Sequence, residues 1–212
     1  MSILYEQMAE SIENGMVSKV KELTQKALDE GCEPKEIISN GLLPGMNEVG
    51  ILFKEGELFV PEVLVAAKAM SAGMELIKPL LKDGEVQSAG KCLFATVKGD
   101  LHDIGKKLVS MLMEGAGYEI IDLGVDIDPE SIVEEVKKHK PDLVGMSAML
   151  TTTMVAMKDT VEALKENGLY EKVKVMIGGA PVTGKYADEI GAYYSEDASA
   201  AVDLANQLIR AS

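Results

Sequence analysis

The segment GDLHDIG, residues Gly99 to Gly105, places one histidine between two aspartates directly behind an apolar run, CLFATV. A carboxylate two residues from an imidazole can accept one ring N–H. That fixes the tautomer and leaves the other nitrogen open as a base or metal ligand. His102 has no second histidine or cysteine nearby in sequence, too few ligands for a structural zinc site. A metal bound here has to arrive with its other coordination positions filled, as in a macrocycle. The alternative is an ordinary strand-to-helix turn, with Gly99 allowing the turn, Asp103 capping the helix and Gly105 allowing close packing. Two further loops accompany it. SAMLTTTM, from Ser147, offers small hydroxyls for a channel, or helix caps. MIGGAPVTG removes side chains at Gly178 and Gly179 where a strand ends, or forms a simple turn.

These loops belong to the second of two halves. The first reads as helix throughout, with Leu4, Met8 and Ile12, then Val17, Val20, Leu23 and Leu28, at helical spacing. Pro34 suits the first turn of a third helix through Leu42. Pro44 is expected to interrupt or kink it, and a fourth helix begins at Pro61. The predicted organisation is an all-α four-helix bundle over 1–81, a polar linker over 82–90, and an α/β domain over 91–212. In that last part KCLFATV, YEIIDLG, PDLVGMSA, KVKVMIGG and AYYSE alternate with helical segments. Asp128 is the expected N-cap of the second of these helices and a threonine that of the third. The alternation predicts a doubly wound parallel sheet of about five strands, flavodoxin-like (Rossmann-like) in order 2-1-3-4-5. On such a sheet the His102 and Ser147 loops meet at the carboxyl ends of strands 1 and 3, where ligands bind.

Composition narrows the class. Apolar residues make up 47% of the 212 and charged residues 26%, which is enough to fold a globular core. A net charge of -14 argues against nucleic acid and against anionic membranes. No apolar run is long enough to span a bilayer and the N-terminus is no signal peptide, so a cytoplasmic protein is expected. Cys32 and Cys92 lack CxxC spacing, which suits a reducing compartment, and Cys92 reads as a small buried hydrophobe.

The residues Asp100-Leu101-His102-Asp103-Ile104-Gly105 match the pattern DxHxxG. Ser147 and Gly178-Gly179 follow at spacings usual for the DxHxxG, SxL, GG set. Met149 stands at the third SxL position, with Leu150 next. In these motifs, and in MNEVGILFKEGELFVPEVLVAAKAM of the helical half, the chain resembles the cobalamin-binding corrinoid proteins of methyltransferase systems (methanol, methylamine, betaine or aryl methyl ether demethylation). It also resembles the cap and cobalamin domains of methionine synthase.

The resemblance implies cobalamin, cycling between methylcobalamin and cob(I)alamin, with its dimethylbenzimidazole detached from cobalt. His102 would be the lower axial ligand, Asp100 would hydrogen-bond it, and Thr153 would extend the relay where methionine synthase has serine. Gly99, Leu101, Asp103, Ile104, Gly105, Met149 and Leu150 would surround the cofactor. Its nucleotide tail would pass Ser147 and Thr151 and lie over Gly178 and Gly179, and Phe53 and Val60 would lie over the upper corrin face. The implied role is a methyl-carrier subunit with no complete active site of its own. One substrate-specific methyltransferase loads it, a second with a tetrahydrofolate or thiol acceptor unloads it, and a reductive activator serves it. The alternative is a cobalamin-dependent sensor. That class adds a DNA-binding segment, which the charge disfavours and which is not read ahead of the helical half. A mutase subunit would lack the FKEGELFVPEV cap, and a response regulator would need an acidic residue where Ser147 stands.

Overall fold

The computed structural model describes residues 2–81 and 88–210. Of the expected linker 82–90, residues 82–87 lie outside the described residues. The chain forms two compact units, Met1–Gln87 with Gly115–Gly117, and Ser88–Glu114 with Tyr118–Ser212.

The first unit contains α1 (Ser2–Glu13), α2 (Val17–Asp29), α3 (Pro34–Ile37), α4 (Leu43–Glu55) and α5 (Val60–Ile77). Between α3 and α4 the chain does not break. Residues Ile38–Leu42 widen into a π-helical turn, closed by Leu43 N–H donating to the Ile38 carbonyl. Proline has no N–H to give, and the wider turn carries the helix past Pro44 without the interruption that its ring would otherwise force. Four rods result, packed around Met8, Ile12, Leu23, Leu42, Val49, Met70 and Ile77, all buried.

The second unit is a five-stranded parallel sheet in the expected order β2-β1-β3-β4-β5. Its strands are β1 (Lys91–Thr96), β2 (Glu119–Asp122), β3 (Leu143–Ser147), β4 (Lys174–Gly178) and β5 (Tyr193–Tyr194). The helices are α6 (Ile104–Gly115), α7 (Pro129–His139), α8 (Val155–Glu166), α9 (Gly184–Ile190) and α10 (Ala198–Arg210). Leu93, Ala95, Val97, Val144, Met146, Val175 and Ile177 alternate onto one face and pack with α7, α8 and α9. Right-handed crossovers then put α6 and α10 on the other face. Asp128 caps α7 as expected, accepting Ser131 N–H at 3.0 Å. Helix α8 departs from expectation, because it starts at Val155 behind Met154, with no threonine cap. The hydroxyl nearest its start, on Thr153, is engaged elsewhere.

Register aligns the functional loops. Thr96 pairs with Ser147, and Ser147 pairs with Gly178, so β1, β3 and β4 end on one row. The row depends on close packing two residues below it. Phe94 pairs with Gly145, and a Cβ on Gly145 would lie 2.2 Å from Phe94 Cε1. Gly145→Ala should therefore lower unfolding stability by about 2 kcal/mol, and adding Phe94→Leu should recover part of it. Urea unfolding of the two variants tests this. An alanine variant as stable as the wild type contradicts it.

Candidate functional site

The site is built around a buried carboxylate. Asp100 follows β1 and its side chain is fully removed from solvent. One oxygen, Oδ1, accepts the His102 backbone N–H at 3.0 Å and lies 2.7 Å from His102 Nδ1. The other, Oδ2, accepts N–H groups from Met149 at 2.7 Å and Leu150 at 3.3 Å, and the Thr153 hydroxyl at 2.7 Å. The Leu150 carbonyl, 2.9 Å from the same hydroxyl, competes for its single proton. Burial alone would raise the Asp100 pKa. The donors from His102, Met149 and Thr153 outweigh it and hold the carboxyl far below the usual carboxylate range.

An ionised Asp100 accepts a proton at Oδ1, so Nδ1 of His102 carries the hydrogen, and in the neutral imidazole Nε2 presents its lone pair. The imidazole side chain is 57% exposed, and Nε2 has no hydrogen-bond partner among the described residues. Leu101 and Ile104 of the same loop, Met149 and Leu150 of the loop after β3, and Val155 at the start of α8 are all exposed, so this end of the sheet carries apolar surface.

Main-chain bonds join the loops. Val97 N–H donates to the Ser147 carbonyl, and Ala148 N–H to the Gly178 carbonyl. From the β2–α7 loop, Asp126 Oδ1 accepts Gly99 N–H at 2.7 Å, and Asp126 N–H donates to the Asp100 carbonyl at 3.0 Å. Beside them the buried Lys106 ammonium pairs with Asp122 at the end of β2, whose carboxylate also accepts Gly124 N–H.

Thus the structure brings Gly99 to Gly105, Ser147, Met149, Leu150, Thr151, Thr153, Gly178 and Gly179 to one sheet edge. Phe53 and Val60 belong to the helical unit, where Phe53 is half-buried and Val60 exposed. Two details differ from the ordinary-turn alternative. A Cβ on Gly105 would meet open space, so close packing does not explain that glycine. Asp103 stands at the start of α6, but its carboxylate pairs with Lys107 Nζ at 2.6 Å, and that contact holds Asp103 below the usual carboxylate range. Gly179 is required by the protein itself. It has φ +129°, and a Cβ there would sit 1.9 Å from the Ala148 carbonyl oxygen. The backbone donors of Met149 and Leu150 carry no side-chain signature, and Asp126 had no signal beyond a second aspartate two residues before the α7 cap.

Among the described residues, no three His, Cys, Asp or Glu side chains are grouped to hold a metal ion. One imidazole nitrogen, held in one tautomer on an open apolar surface, fits a metal that brings its other ligands in an organic ring. Cys92 is buried without a disulfide, its thiol pushed up to about 12 by desolvation and then by Asp142. No described helix is long and apolar enough to cross a membrane.

Known proteins resemble this chain. Residues 90–205 match the B12 binding domain family, and residues 4–78 match a second family described as B12 binding domain. A dimethylamine corrinoid protein of Methanosarcina acetivorans is 44% identical over 96% of this chain and 98% of its own. A trimethylamine corrinoid protein of the same organism is 45% identical over 84% of each chain. Among solved structures, the methanol:cobalamin methyltransferase complex MtaBC of Methanosarcina barkeri contains a chain that aligns with a TM-score of 0.91 at 33% identity. The alignment covers 99% of this chain and 80% of that one.

The Asp100 network carries a stability prediction. A carboxyl held below its unfolded value of about 3.9 contributes stability that is complete above that pH and is lost as pH falls toward the folded value. Asp100→Ala also strands several donors and should cost on the order of 3 kcal/mol at pH 7. The gap between variant and wild type should narrow below about pH 4. Urea midpoints at pH 7 and pH 3 read both effects, and a gap independent of pH contradicts the account.

Proposed function

The chain belongs to the cobalamin-binding corrinoid proteins of methyltransferase systems, and on that premise we propose that it carries a methyl group with His102 as the lower axial ligand of cobalt. Bound cobalamin supplies a cobalt centre that accepts a methyl group from one donor and surrenders it to another acceptor. The observation that carries the axial-ligand reading is the Asp100–His102 pair. Nδ1 is committed to a buried carboxylate at 2.7 Å, which leaves Nε2 as the single outward donor.

Each residue has a part in this reading. Asp100 holds the proton on Nδ1 and, by accepting it, strengthens Nε2 as a donor. Thr153 and the Met149 and Leu150 amides keep Asp100 from turning away when the histidine binds or releases the metal. Ser147 and Thr151 offer hydroxyls to the cofactor's nucleotide tail, and Gly178 and Gly179 give it a surface without side chains. Leu101, Ile104, Met149 and Leu150 exclude water from the ring face beside His102. Phe53 and Val60 are the apolar candidates of the helical unit for the bound ring.

A substrate-specific methyltransferase loads the carrier. A second methyltransferase unloads it to tetrahydrofolate or a thiol, and a reductive activator returns it to service. The solved methanol complex supports a methyltransferase partner. The relatives named for dimethylamine and trimethylamine are matched at nearly equal identity. The choice of donor is therefore assigned to the partner enzyme.

Reconstitution with hydroxocobalamin or methylcobalamin tests the proposal through the visible spectrum. The wild type should give a bound chromophore with a histidine-ligated spectrum unlike that of free cofactor. His102→Ala should retain cofactor, because the tail contacts are intact, but lose that spectrum. Identical spectra for the two proteins contradict His102 ligation, and failure of both to retain cofactor contradicts the carrier role.

A further inference from the structure

The β2–α7 loop holds a residue that the account so far leaves without a role. Asp126 adopts φ +56°, one of two described non-glycine residues with positive φ. That conformation is costly for an L residue and persists only where its surroundings hold it. Here it turns both polar groups of one residue onto the histidine loop. The carboxylate accepts Gly99 N–H at 2.7 Å and the backbone N–H donates to the Asp100 carbonyl at 3.0 Å. These bonds grip the chain on both sides of the Gly99–Asp100 peptide link. The approach is prepared upstream and downstream. Leu123 N–H donates to the Phe94 carbonyl, Thr96 N–H to the Gly124 carbonyl, and Ile127 N–H to the Thr96 carbonyl, while Val97 bridges Ile127. The loop thus runs as a continuation of β2 alongside β1 until it reaches the turn that bears Asp100.

We propose that Asp126 is a positioning residue for the histidine: by holding Gly99 and Asp100 from the β2 side, it keeps Asp100 against His102 Nδ1 and Nε2 aimed outward. Met149, Leu150 and Thr153 anchor only Oδ2 of Asp100, from the β3 side. Oδ1 is held only from within its own loop, by the His102 N–H at 3.0 Å, and the course of that loop depends on the Asp100 main chain, which the Val97 carbonyl holds at its N–H and Asp126 holds at its carbonyl. The functional half of this inference rests on His102 being the metal ligand.

A residue needed only to form the turn would be replaced well by glycine, which adopts positive φ freely. Asparagine keeps the acceptor oxygen and tolerates the same backbone. The pair Asp126→Gly and Asp126→Asn therefore separates turn formation from the hydrogen bond. Circular dichroism and urea midpoints verify that each variant is folded.

The primary readout is the 15N shift pair of the His102 imidazole in protein without cofactor. Wild type and Asp126→Asn should show the Nδ1–H tautomer, and Asp126→Gly a mixture of tautomers. The second readout is the affinity for diaquacobinamide, a corrinoid without the nucleotide tail, with His102→Ala as control. Asp126→Gly should weaken binding about tenfold or more, the lower end of what a lost hydrogen bond to a charged group costs. Asp126→Asn should stay near wild type. A folded Asp126→Gly protein with wild-type tautomer and affinity overturns the proposal, as does Asp126→Asn behaving like Asp126→Gly. If His102→Ala binds diaquacobinamide as tightly as wild type, the ligand assignment fails, and the tautomer measurement alone decides whether Asp126 positions the pair.

Discussion

A carboxylate buried without solvent is expensive unless its oxygens are satisfied, and the functional half of this protein is organised by that requirement at Asp100. Its two oxygens draw donors from three places: its own loop, the loop after β3, and the turn before α8. The donors from Met149, Leu150 and Thr153 lie correctly only once β1 and β3 are paired and their ends are level. Once they are, the carboxylate joins the loops as a rigid tie. Every donor it accepts also stabilises its negative charge, and that charge is what fixes the proton on His102 Nδ1.

Sheet order makes the tie possible. Strand β1 is followed by a crossover to one side and β3 by a crossover to the other, so their loops part and leave a crevice between them. The row Thr96, Ser147, Gly178 brings the three loops to one height. At its far end Gly179 approaches Ala148 so closely that no side chain fits. The absence of a side chain there is a condition of folding. The apolar residues around His102 are the converse, exposed at a cost that a bound ring would offset.

Much of this was legible in the sequence because it rests on local patterns. Strand runs, glycine ends and the Asp128 cap determine the α/β order, and that order determines which loops meet. The pairing of Asp100 with His102 is encoded in a two-residue spacing. What escaped depends on long-range geometry. Pro44 appeared as a break because its missing N–H is visible in sequence, whereas the π-turn that accommodates it is not. Thr153 was singled out only by resemblance, as the hydroxyl extending the Asp100–His102 relay, because read locally it is one of a run of threonines. Only the fold turns its hydroxyl to a carboxylate more than fifty residues away. The Met149 and Leu150 amides are invisible in principle, since every residue type carries a backbone N–H. Asp126 was hidden in the same way, as its backbone angle and its partner on another loop leave no local trace.

The central claim is that His102 supplies the axial nitrogen, and electron paramagnetic resonance of the protein loaded with cob(II)alamin tests it most directly. The unpaired electron points along the axis, and its lines are split by the nucleus of the lower ligand. Protein grown with 15N-histidine should change that splitting from the triplet of 14N to the doublet of 15N, and His102→Ala should remove the histidine-derived doublet. A triplet that persists in the 15N-labelled protein would show that the cofactor keeps its own base, and would contradict the account.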